Sequence, residues 1–194
     1  MTTKEIIYKN SIELFAEHGY QNLGMRDLAK ASGIKASSIY NHYKSKEDIL
    51  MDIANELIGY LKDEVYPLYK VTNLLPKEYL KNISLNTNKF FELNQIEILT
   101  KILIPQQLAS TRLKNLLHDE FIVKPRTAYS IYFKQLMHKG LMDEADPMLA
   151  AKMYHSFFIY HFHEKYLSDN PLKFLSKNED IFIKHIDLFI KYFN

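Results

Sequence analysis

The residues best suited to chemistry lie together between Gly24 and Lys46. Five basic side chains, Arg26, Lys30, Lys35, Lys44 and Lys46, stand there against the single acid Asp27. Residues 1–23, by contrast, hold two lysines against three glutamates. The cationic stretch contains the run Lys35-Ala36-Ser37-Ser38, followed by Tyr40, Asn41, His42 and Tyr43. Small and polar side chains at the start of a thin helix suit a DNA major groove. Ala36 permits close approach and fits a thymine methyl, Ser37 and Ser38 suit base edges or phosphates, and Asn41 suits adenine. Tyr40, His42, Tyr43 and Lys46 are the types that hold phosphate oxygens, contacts that fix register without reading sequence. Charge alone does not decide the matter, because such an excess also marks ordinary solvated faces, and Ile39 and Tyr43 also fit a core.

Helices must position these groups. Ile7, Ser11, Leu14, Phe15 and His18 follow a helical period that Gly19 stops. A short helix from about Met25 to Ser32 turns at Gly33, and a third begins near Ala36 with Ile39 inward. A short helix, a glycine turn and a second short helix make a helix-turn-helix arrangement. Ser45-Lys46-Glu47-Asp48 reads as a capping box opening a long helix that ends around Pro67. Beyond it, Pro76 suits a first helical turn and Asn94 a cap. Pro125 breaks or kinks the stretch 108–140, and Gly140 stops it. Asp146-Pro147 opens a helix that Asn170-Pro171 closes, and Ser176 caps the last one. No alternating strand pattern or Asn-Gly hairpin appears, so the expected class is all-α.

Composition narrows the remaining choices. All six prolines follow residue 66, and cysteine is absent, which removes disulfide frameworks, zinc ribbons and thiol chemistry and suits a reducing cytoplasm. The start, Met-Thr-Thr-Lys-Glu-Ile-Ile, places a charge pair where a signal peptide needs an apolar run. No segment is apolar for long enough to span a membrane. No phosphate loop, nucleophile elbow or His-Glu-x-x-His occurs, so no catalytic residue and no cofactor is expected. His161 and His163 face apart on a helix, and no carboxylate completes a metal site with His155.

Three runs then carry a resemblance: Leu14-Phe15-Ala16-Glu17-His18-Gly19-Tyr20, Met25-Arg26-Asp27-Leu28-Ala29-Lys30-Ala31-Ser32-Gly33-Ile34, and Ser38-Ile39-Tyr40-Asn41-His42-Tyr43-Lys44-Ser45-Lys46-Glu47. Over about residues 6–50 the chain resembles the N-terminal domain of the TetR family of transcriptional regulators. The resemblance implies a three-helix DNA-binding head, residues 1–46, on a helical ligand-binding and dimerisation domain, residues 47–194. It implies that Ala36, Ser37, Ser38, Tyr40 and Asn41 lie on the recognition helix, with Lys35 at its start. It puts His42, Tyr43 and Lys46 near phosphates, and Arg26 within reach of base or backbone. Leu23 and Gly24 stand where the family often has hydroxyl residues, and Lys35-Ala36-Ser37 replaces its usual small-Lys-Gly, so the operator cannot be carried over.

The last two helices are apolar around their whole circumference, which requires burial on more than one side. Met153, Phe157 and Tyr160 on one, with Phe182, Ile186, Phe189, Ile190 and Phe193 on the other, are the expected contacts of a two-fold homodimer. A monomer with a central buried hairpin is the alternative. The resemblance also implies a small-molecule pocket between the middle helices. Candidates for its lining are Tyr60, Phe90, Leu103, Tyr132 and Phe133, then Tyr154, His155, Phe158 and Phe162, although any such ring also suits plain core. The expected function is a dimeric repressor on a palindromic operator, released by an apolar or aromatic effector. Two alternatives stand beside it: a co-regulator of the same fold governed by a protein partner, and a helical metal enzyme using the histidines.

Overall fold

The computed structural model of the chain describes residues 1–70, 74–167 and 178–193. Among these residues every regular element is helical. In chain order they are α1 (Thr3–His18), α2 (Met25–Ala31), α3 (Lys46–Tyr60), α4 (Pro76–Glu92), α5 (Asn94–Leu103), α6 (Thr111–His118), α7 (Lys124–His138), α8 (Pro147–Leu167) and α9 (Asn178–Tyr192). The expected Asn170-Pro171 break and the cap at Ser176 lie outside the described residues.

The caps explain most boundaries. Thr2 and Glu5 form a reciprocal box at α1, and Gly19 ends that helix at a positive φ of 82°. At α2 the Asp27 carboxylate accepts the Gly24 N–H at 2.8 Å, the half of a capping box that needs no side chain at the N-cap. Ser45 Oγ accepts the Asp48 N–H at 3.1 Å and opens α3. Asp146 Oδ1 accepts from Met148 and Leu149 at 2.8 and 3.1 Å ahead of α8, with Pro147 at the first position, where its missing N–H costs nothing. Asn94 differs from expectation: it begins α5, and Leu93 precedes the helix without a side-chain cap.

Prolines reshape three helices. The long helix expected to run from Ser45 to Pro67 is α-helical only to Tyr60 and widens into a π turn over Leu61–Val65. A second π turn, Asp119–Val123, precedes Pro125, and Pro105 sits in the 3-10 turn Ile104–Gln106. A proline lacks the N–H that would bond four residues back, and its ring crowds that carbonyl. Those positions are Asp63 and Phe121, both inside the π turns, so the helix accommodates the clash by widening there.

The chain forms two units. The first comprises residues 1–63 and 90–118, the second 64–89 and 119–194. Residues 47–63 and 90–118 thus pack with the N-terminal head. In the first unit α1 packs on α2, α3 and α5, and α3 also meets α6. Its interior holds Ile7, Phe15, Leu28, Ala29, Ile39, Ile49 and Ile53, all essentially inaccessible to solvent. The start of α3 is held by its own unit: Ser110 donates to Glu47 at 2.5 Å, and Arg112 donates to Asp48 at 3.3 Å. In the second unit α7 lies along α8, and the core is built of rings, with Tyr79, Tyr129, Tyr132, Phe133, Tyr154 and Phe189 buried together.

Four residues expected at a subunit interface, Phe182, Ile186, Phe189 and Phe193, are instead buried within their own unit. Phe189 lies 5.2 Å from the Phe133 ring and 5.0 Å from Tyr154, so these side chains complete the aromatic core. Phe157 and Ile190 are half-buried, while Met153 and Tyr160 are exposed. Leu149, Ile181, Leu188 and Tyr192 are exposed apolar side chains of the same two helices. Leu149, Met153, Ser156, Tyr160 and His163 repeat every three or four residues and form one outward face of α8.

Candidate nucleic-acid interface

Residues 24–46 form a short helix, a glycine turn and a second short turn held on the head's core. Gly33 adopts a φ of +68°, a left-handed conformation that other residues enter only with strain, and this reverses the chain after α2. The expected recognition helix is a single 3-10 turn, Ser38–Asn41, preceded by turn residues Ala36 and Ser37. Only Ile39 of that turn is buried, and it is fully so. With one anchor facing inward, the neighbouring side chains face out: Lys35, Ala36, Ser37, Tyr40, Asn41 and His42 are exposed, and Ser38 is half-exposed. None of the side chains of Lys35, Ser37, Ser38, Asn41 or His42 forms a hydrogen bond or ion pair with the rest of the described chain. Arg26, Lys30 and Lys44 are exposed around them.

Two expected phosphate ligands have other work. Tyr43 is 4% exposed, and its hydroxyl donates to Asp52 at 3.1 Å. Burial, together with the Asp52 charge, pushes that phenol well above its usual range. Lys4 bridges to the same carboxylate at 3.1 Å and lies over the Tyr43 ring. Tyr43 is therefore a packing residue of the head. The Lys46 ammonium donates to the carbonyls of Tyr20 and Leu23 at 2.6 and 2.7 Å and sits 4.1 Å from the Tyr20 ring centroid. Burial lowers its pKa. Lys46 thus ties the connection between α1 and α2 to the start of α3, which leaves one N–H for any phosphate. Neither partner set could be read from the sequence, because the acceptors are a distant carboxylate and two backbone carbonyls.

The expected pocket residues divide between the units. Tyr60, Phe90 and Leu103 belong to the first, where Phe90 and Leu103 are buried and Tyr60 donates to Glu56 at 3.1 Å. Tyr132, Phe133, Tyr154, His155, Phe158 and Phe162 belong to the second. There Tyr154 is central, 5.8 Å from Phe133 and 5.2 Å from Phe158, and its hydroxyl pairs with Ser84 at 2.9 Å. Tyr129, absent from the expected set, lies 4.9 Å from Tyr154, 5.6 Å from Tyr69 and 5.9 Å from His155. Its place three residues before Tyr132 and four before Phe133 was the available signal. His185 stacks on Phe157 at 4.1 Å and bonds the Tyr154 carbonyl at 3.1 Å. Among the described residues no group of three or more histidines and carboxylates is placed to hold a metal ion. None of the described helices is long and apolar enough to cross a membrane.

Residues 7–53 match the sequence pattern of bacterial regulatory proteins of the tetR family. IcaR of Staphylococcus epidermidis, a negative transcriptional regulator of a biofilm operon, is 37% identical over 60 residues, 31% of this chain and 32% of IcaR. The chain thus spans about a third of the length of that curated relative. Among solved structures, SmeT bound to triclosan superposes with a TM-score of 0.71 at 16% identity, covering 100% of this chain and 92% of SmeT. AibR bound to isovaleryl coenzyme A and operator DNA gives 0.65 at 17% identity, covering 99% of this chain and 98% of AibR. At such identities the likeness establishes the fold. The segment 7–53 thus carries the sequence pattern of tetR-family bacterial regulatory proteins, and the helical architecture around it shares its fold with these solved structures.

Proposed function

We propose that the chain is a DNA-binding transcriptional regulator, a repressor that reads a palindromic operator as a homodimer and leaves it on binding a small effector. The observation that carries this reading is the outward turn 35–42. The polar side chains of Lys35, Ser37, Ser38, Asn41 and His42 have no partner among the described residues, while the buried Ile39 and Tyr43 fix where they stand. Lys35, Arg26 and Lys44 supply phosphate contacts, and Ser37, Ser38 and Asn41 supply base readout. IcaR, described as a negative regulator, supports repression, and AibR, solved with operator DNA and an acyl coenzyme A, supports an effector-controlled DNA complex. Residues 1–46 act as the reading head, and residues 47–194 carry dimerisation and effector binding.

The exposed apolar faces of α8 and α9 pair two subunits about a two-fold axis. Leu149, Met153 and Tyr160 contribute from α8, with Ile181, Leu188 and Tyr192 from α9. Two heads so related address half-sites about 34–36 Å apart, or a multiple. Mobility shift of the purified protein on its own upstream region at moderate salt tests the reading. A sequence-selective complex with one dimer per palindrome is expected. Binding that ignores sequence, or single chains in sedimentation, overturns it.

A further inference from the structure

The second unit pairs several of the buried hydroxyls at its centre and leaves that of Tyr132 without a partner among the described residues. Tyr79 donates to the Tyr69 carbonyl at 2.9 Å, and Tyr154 pairs with Ser84. Three further atoms, Arg126 Nε, His155 Nδ1 and Thr87 Oγ1, are each buried without a hydrogen-bond partner among the described residues. A buried polar atom left without a partner costs about 1–3 kcal/mol, so a protein keeps one where something else supplies the bond.

These atoms lie on three helices of the second unit that touch one another, α7 meeting α8 and α4 reaching α8 through Ser84 and Tyr154. Arg126 is half-buried on α7, one turn before the buried Tyr129. The Tyr129 ring lies 5.9 Å from His155 on α8, and the imidazole is 7% exposed. Arg126 is near enough that its charge, after burial, is the second cause holding the His155 pKa down. Thr87 follows Ser84 by one turn on α4, and Ser84 already bonds Tyr154, the residue beside His155. Among the described residues no carboxylate pairs with Arg126. The next cation on α7, Lys124, is held by Glu120 at 2.7 and 2.6 Å. One uncommitted guanidinium matches one negative charge, and its planar fork matches a carboxylate.

We propose that the second unit binds an organic monocarboxylate with an aromatic or similarly apolar body. Its carboxylate is received by Arg126, His155 and Thr87, and its body lies against Tyr129, Tyr154 and Phe158. The inference rests on reading this unit as the effector-binding part, and it names the class of effector. Arg126 supplies the charge, His155 and Thr87 add hydrogen bonds, and the rings exclude water, which strengthens both.

The test titrates the full-length protein, without DNA, with 3-phenylpropionate, its neutral isostere 3-phenylpropionamide, and phenyl phosphate, read by calorimetry. The carboxylate is expected to bind at least ten-fold more tightly than the amide. Arg126→Gln should erase that preference while leaving weak amide binding unchanged, an outcome a merely structural role would not give. His155→Gln should weaken the carboxylate several-fold. Equal binding of acid and amide, no binding of the acid, tighter binding of phenyl phosphate, or a preference that survives Arg126→Gln would each overturn the proposal. A carboxylate that binds as described but fails to release operator DNA supports this site and counts against the effector-controlled regulator instead.

Discussion

The head and the second unit handle polar groups in opposite ways. In the head, interior polar atoms are paired within the protein: Ser11 donates to the Ile7 carbonyl at 2.7 Å, Tyr43 to Asp52, and Lys46 to two carbonyls. Its uncommitted groups face outward on residues 35–42. The second unit wraps its uncommitted groups inside a shell of rings, where Arg126, Tyr132 and His155 each keep an unpaired buried atom. An outward set suits a partner too large to enclose, and an inward set suits one small enough to surround. The two arrangements explain why the head is built on compact aliphatics and the second unit on tyrosine and phenylalanine.

The contrast can be broken most directly through packing. Phe133→Ala removes a fully buried ring touching Tyr154 and Phe189 and should cost about 3–5 kcal/mol, read as a lower urea midpoint. The DNA binding proposed for the head is then compared in the remaining folded fraction, where it should be unchanged.

Acid supplies the next largest effect. Burial foremost, then Arg126, lowers His155 from 6.5 to about 4, so between those values the unfolded chain binds the proton and the folded one does not. Stability from this group is therefore complete above about pH 6.5 and falls as pH drops toward 4, by on the order of 2–3 kcal/mol. Thermal melting against pH should show the slope, and His155→Gln should flatten it. A slope kept in that variant assigns the effect elsewhere.

Two tyrosines sharpen the comparison within one unit. Tyr154→Phe abandons the Ser84 hydroxyl and should cost about 1 kcal/mol. Tyr132→Phe deletes a hydroxyl with no partner and should be neutral or slightly stabilising in the free protein. Equal losses in chemical denaturation would show that the Tyr132 hydroxyl is served by water.

The smallest effects separate two lysines of the head. Lys44→Ala should leave stability within about 0.5 kcal/mol and reduce the salt slope of DNA binding by about one. Lys46→Ala should instead cost about 1 kcal/mol of head stability, because the Tyr20 and Leu23 carbonyls lose their donor. Denaturation and salt titration on the same variants distinguish the two patterns.

Local chemistry made much of this readable in advance. Gly19, Gly33 and Gly140 all take positive φ, and Ser45 and Asp146 cap the helices that follow them. The outward set at 35–42 followed from residue type and charge. Less visible were features set by partners far along the chain: Tyr43 against Asp52 and Lys4, Glu47 against Ser110, Gln21 against Gln106 at 2.6 Å. The last two helices were ambiguous for a different reason. A helix apolar all round carries no stripe, so period alone cannot say that Phe182 and Ile186 turn inward while Ile181 and Leu188 turn out. Proline signalled trouble in α3 and before α7, but whether a helix breaks or widens depends on what packs around it.

Lys46 has one more consequence. Two of its ammonium protons serve carbonyls, so acylation would leave a neutral amide with one N–H where two acceptors wait. Amine reagents should label Lys30, Lys35 and Lys44 first, altering only the head's outer charge. Once Lys46 is reached, the connection joining the first two helices loses its tether to the start of α3.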